Sequence, residues 1–111
     1  MRRFAILPLL ACLTAPAFAA PPRVLSPPDP AQGERIARRW CAACHVVAAD
    51  QKEASADVPS FFYVARHMSN RDLSSFLTDP HPKMPDMSLT RREIRDLTAY
   101  IRSLAKASGG Q

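Results

Sequence analysis

Residues 40–45 read Trp-Cys-Ala-Ala-Cys-His, WCAACH, and pack two cysteines and a histidine into consecutive turns of chain. A C-x-x-C pair serves three chemistries: a redox-active dithiol, half of a zinc site, or an attachment point for haem. The sequence on either side has to choose among them, and the choice carries the fold with it.

Upstream, Arg2 and Arg3 precede a largely apolar run, FAILPLLACLTAPAFAA, which ends in Ala17-Phe18-Ala19. A basic start, an apolar run and a small-residue end predict that residues 1–19 are a secretory signal peptide, cleaved before Ala20 to leave a periplasmic protein. The run is shorter than the ~20 apolar residues that span a bilayer, and Pro8 and Pro16 interrupt it, so no stable membrane insertion is expected. LLAC, ending at Cys12, loosely resembles a lipobox, but the apolar stretch continues past it to the Ala-x-Ala site. Cys12 then leaves with the signal, and Cys41 and Cys44 are the cysteines of the exported chain. Export puts them where disulfides form, yet bridging residues three apart closes so short a loop that it would stabilise little.

The 111 residues allow one small domain. They carry 15 Lys and Arg against 10 Asp and Glu, and removing Arg2 and Arg3 lowers the formal charge from +5 to +3. The basic residues alternate with acidic ones, as in RDLSSFLTD and RREIRD, which describes a solvated surface and not a nucleic-acid stripe. A diffuse positive face can still steer an acidic protein partner. A domain this small buries barely enough surface to fold alone, and a large apolar cofactor would complete its core.

Residues 20–29 are rich in proline and form an extended arm. Asp29 is placed to cap a helix opening at Pro30 and running through PAQGERIARRW into the cysteine motif, with Ile36 and Trp40 on one face. Gly33 weakens that helix by roughly 1 kcal/mol relative to Ala, which is read either as close approach by another helix or as a tolerated weak spot. Residues 46–60 show no sustained period and read as loop. FFYVARH predicts a short helix, and SNRDLSSFLTD another, capped near Ser69 or Asn70 with Leu73, Phe76 and Leu77 on one face. Three prolines forbid regular helix in DPHPKMPDMS. Thr90 and Glu93 form a capping box ahead of Ile94, Leu97, Ile101 and Leu104 at helical spacing, and Ser108-Gly109-Gly110 stops the helix. The domain thus spans 30–106, with 107–111 as a flexible tail. No segment alternates as a strand, so the fold class is all-α, about four short helices.

A thioredoxin-type dithiol sits at the start of a helix after a strand, whereas here a helix arrives from upstream and no strand precedes it. A zinc site needs four ligands; Cys41, Cys44 and His45 supply three at most, leaving His67 or His81 to complete the set, and a second ligand pair is absent. Haem attachment accounts for every position, each thiol adding to one vinyl group and His45 held beneath the iron.

With these residues in view, the sequence resembles the class I c-type cytochromes of bacterial periplasms. GERIARRWCAACH looks like their first helix and attachment motif, and PHPKMPDMSLTRREIRDLTAYIRSL like their methionine loop and closing helix. The resemblance implies a cytochrome c fold wrapped around one covalently attached haem c. It implies that the first and last helices cross at Gly33, near Tyr100. Ala37 departs from the family, where an aromatic residue is common, and Trp40 is expected to compensate from the neighbouring position.

The opposite side of the iron then sets the function, because His/Met ligation suits electron transfer and an open side suits ligand chemistry. Met84, in HPKMPD, matches the family's ligand motif and is the expected partner of His45. Met87 is expected to plug the pocket floor, Met68 to be ordinary packing or surface, and His67 and His81 to be solvated. By the same resemblance the carbonyl of Pro59 accepts from the ring of His45. Phe61, with Phe62, Phe76 and Leu89, is expected in the pocket walls. The function implied is a monomeric electron carrier or electron-transfer subunit, with redox proteins as partners, no catalytic residues and no enzyme activity. The alternative is a haem enzyme or gas sensor with a labile sixth site.

Overall fold

A computed structural model describes residues 20, 25–55, 57–80 and 83–107 of the chain. The expected signal peptide with Cys12, most of the proline-rich arm, His81 and residues 108–111 of the tail lie outside the described residues. Among the described residues there are four α-helices and no strand: α1 (Pro30–Ile36), α2 (Phe61–His67), α3 (Asn70–Thr78) and α4 (Arg91–Ala107). The all-α expectation therefore holds.

Each helix starts where a side chain can satisfy free backbone N–H groups. Asp29 Oδ1 accepts from the N–H of Ala31 at 2.9 Å and of Gln32 at 3.2 Å, with Pro30 in the first turn. Ser60 Oγ accepts from Tyr63 N at 3.2 Å, and Ser69 Oγ from Asp72 N at 3.1 Å. Ahead of α4, Thr90 Oγ1 accepts from Glu93 N at 3.2 Å while Glu93 Oε2 accepts from Thr90 N at 2.8 Å, which is the expected capping box.

The first helix departs from expectation in its last turn. Regular α-helix ends at Ile36, and Ala37–Cys41 widen into a π-helical turn closed by Ala42 N donating to Ala37 O at 3.1 Å. An i→i+5 turn rotates later residues away from the face they would share in an α-helix. Ile36 is buried, but Trp40, expected beside it, is 50% exposed. Ala37, where an aromatic is common in the family, is itself fully enclosed.

α4 organises the rest, packing against α1, α2 and α3. Ile94, Leu97, Ile101 and Leu104 are all buried, and each fully enclosed aliphatic side chain contributes about 1.5–3 kcal/mol. Gly33 lies against the backbone of α4 at the α1–α4 crossing, as its position in the sequence suggests. The Tyr100 hydroxyl donates to Val47 O at 2.8 Å, and Arg102 Nη1 donates to the carbonyls of Ala65 and Met68. In this way α4 holds both the loop after the cysteine motif and the end of α2.

Candidate cofactor site

The π-helical turn delivers the cysteine motif to a cavity of about 520 Å³, a size typical of clefts for small molecules and cofactors. Cys41 is buried and Cys44 exposed, and the two are not bridged. Beyond them the chain tightens, Cys44 N and His45 N both donating to Cys41 O at 3.1 and 2.9 Å. Cys41, Cys44 and His45 all line the cavity.

His45 Nδ1 lies 2.7 Å from the carbonyl oxygen of Pro59. A carbonyl can only accept, so this contact puts the ring proton on Nδ1 and leaves the Nε2 lone pair of the neutral imidazole available to a metal. Phe61 N donates to Val46 O at 2.9 Å, aligning the Pro59–Phe61 segment alongside the histidine. The Phe61 ring packs against His45 at 5.5 Å between centroids.

The remaining walls are chiefly apolar, from Val64, Leu73, Phe76, Leu77 and Ile101. Met84 and Met87 enter from the segment before α4, and Met68 from the end of α2. Met68, expected in ordinary packing or at the surface, is thus half-buried in the cavity wall. The signal for it was present, since Phe61, Val64 and Met68 recur at helical spacing and form one face of α2. Phe62 and Leu89 were expected in the walls, but they pack half-buried against the hydrophobic core instead of lining the cavity. His67 is exposed on α2, stacked on Tyr63 at 3.8 Å with Nδ1 2.8 Å from Tyr63 O.

This donor set discriminates among the three chemistries of the motif. Burial, and then the neighbouring Cys44, pushes the Cys41 thiol up to about 11, opposite in direction to the lowered thiol of a redox dithiol. Among the described residues no group of three or more His, Cys, Asp and Glu side chains could hold a bare metal ion. Two unbridged cysteines, one imidazole with its outer nitrogen free and three thioethers, all on one apolar cavity, fit haem c.

A family model described as "Cytochrome C oxidase, cbb3-type, subunit III" matches residues 28–101. "Cytochrome c-552" of Bradyrhizobium diazoefficiens is 56% identical over 78 residues, covering 68% of this chain and 75% of that one. No solved structure matches the chain.

Proposed function

The chain belongs to the cbb3-type subunit III family of c-type cytochromes, and from that membership we propose that it is a periplasmic electron carrier, free or within a larger oxidoreductase, with one haem c. The observation that carries the reading is the convergence of Cys41, Cys44, His45 and Met84 on one apolar cavity.

Haem bound there supplies a one-electron Fe(II)/Fe(III) couple, and His/Met ligation places it at raised potential. The chain's own residues do the rest. Cys41 and Cys44 anchor the group through their sulfurs, Cys41 from the buried side and Cys44 from the exposed rim. His45 would ligate the iron through Nε2, with Pro59 fixing its ring and increasing its donor strength through the Nδ1–H bond. Met84 would supply the second ligand to the iron, with Met68 and Met87 filling space and Phe61 holding the imidazole from the side. The apolar walls of the cavity would keep water from the bound group. Ala43 and Cys44 are exposed at the rim, which makes this edge the place for a redox partner to approach. Residues 1–19 are then a cleaved signal peptide, 20–29 an arm, 30–106 the haem domain and 107–111 a tail. No helix among the described residues is long and apolar enough to cross a membrane.

The test is carbon monoxide added to the reduced holoprotein at neutral pH. A permanently ligated carrier leaves its visible spectrum unchanged. Rapid and complete binding sinks this reading in favour of an enzyme or gas sensor with a labile site.

A further inference from the structure

Among its described residues, the loop between the cysteine motif and α2 has no helix or strand, so its backbone groups need partners outside a regular ladder. One side chain of that loop bonds two of its backbone groups and two carbonyls of the motif itself. Gln51 Nε2 donates to Ala42 O at 2.9 Å, His45 O at 2.8 Å and Glu53 O at 2.8 Å, while Gln51 Oε1 accepts from Val47 N at 2.9 Å. An amide nitrogen has two hydrogens and here faces three carbonyls, so at least one hydrogen is shared. The peptide groups of Val47 are held at both ends, since Tyr100 donates to its carbonyl and Val47 is fully enclosed.

We propose that Gln51 is a positioning residue for His45, fixing the main chain of the haem-attachment turn so that the imidazole keeps its bond to Pro59. The inference rests on the reading of His45 as an axial ligand. Two tethers then orient that ligand: Pro59 holds the ring and Gln51 holds the backbone from which the ring projects. With the second removed, the first lengthens, because the ring moves with its own Cα. A weaker Nδ1–H bond makes the imidazole a poorer donor to ferric iron. The midpoint potential therefore rises when Gln51 is lost.

The experiment compares holoproteins carrying Gln51→Met, which keeps side-chain length without hydrogen bonds, and Gln51→Glu, which keeps the acceptor for Val47 N and loses the amide donors. Proton NMR of the ferric protein reads the axial-ligand plane through the hyperfine-shifted haem methyl resonances, and spectroelectrochemistry reads the potential. Thr90→Ala, which removes a helix cap and touches neither tether, controls for lost stability. Both Gln51 variants are expected to re-order the methyl resonances and raise the potential, with the control matching wild type. The proposal is overturned if both variants lose stability but keep the wild-type methyl pattern and potential. It is also overturned if neither variant retains covalent haem, since a positioning role requires that attachment survive; one surviving variant suffices for the comparison. A wild-type spectrum without hyperfine-shifted imidazole protons removes the ligand reading itself, and that result is seen before any substitution is made.

Discussion

A β-carbon built on Gly33 would lie 2.1 Å from the carbonyl oxygen of Asp96 and 2.8 Å from Tyr100 Cβ. The nearest obstacle is backbone of α4, which cannot swing aside as a side-chain tip could. Gly33→Ala therefore forces the two helices apart, and overpacking of this kind costs about 1–3 kcal/mol or more. The gain in helix propensity, about 1 kcal/mol, opposes this without cancelling it. Denaturant unfolding of the holoprotein is expected to show a net loss of about 2 kcal/mol; a variant as stable as wild type would mean that the crossing is looser than its geometry.

Asp96 joins the same crossing by a second route. Its side chain is buried, Oδ1 accepting from Asp29 N at 2.8 Å, so the residue that caps α1 is itself tied to α4. Oδ2 has no hydrogen-bond partner among the described residues, and Arg92 Nε stands 3.8 Å away. Asp96→Ala leaves the Asp29 N–H without its acceptor and is expected to cost about 1–3 kcal/mol. Asp96→Asn keeps an acceptor for that N–H and retains most of the stability. Equal losses in the two variants, measured at pH 7, would show that the charge of Asp96 matters more than its hydrogen bond.

Gly33 also shows where sequence reading succeeds. It stands out because a mid-helix glycine costs helix propensity, and the capping residues Asp29, Ser69 and Thr90 act through local hydrogen bonds that spacing reveals. The cysteine motif with its following histidine is equally local. Trp40 escaped because a single shift from i→i+4 to i→i+5 bonding re-aims it, and tertiary packing decides that shift. Gln51 escaped for another reason: a polar residue in an aperiodic loop gives no pattern, although its amide joins four backbone groups. Phe62 and Leu89 have the composition of a cavity wall, and only the fold separates lining the cavity from packing behind it.

Three methionines line the cavity, and substitution separates their roles. Met84→Ala is expected to open the iron, so that the reduced protein changes from refusing carbon monoxide to binding it completely. Met84→His is expected to lower the midpoint potential, because a thioether ligand raises it relative to a second imidazole. Met68→Leu and Met87→Leu conserve volume, cost less than about 1.5 kcal/mol and leave the iron closed. Carbon monoxide binding by Met68→Leu in place of Met84→Ala would move the ligand assignment from the loop to the end of α2.

The cap of α4 gives stability a pH dependence whose sign follows from geometry. The Thr90 backbone N–H, and then its hydroxyl, donate to the Glu93 carboxylate and hold it below its ordinary value of 4.5. A carboxyl group lowered in the folded state stabilises the fold above its unfolded value, and that contribution disappears as pH falls through the folded value. Glu93 is solvent-accessible and screened, so the effect amounts to a few tenths of a kcal/mol. Glu93→Gln is therefore expected to unfold slightly earlier than wild type in denaturant at pH 7, with the gap closing as pH falls through the folded value of Glu93. Thr90→Ala removes the other half of the box and costs about 1 kcal/mol at neutral pH. A gap between wild type and Glu93→Gln that widened on acidification would contradict the sign, and would require the folded state to favour the protonated acid.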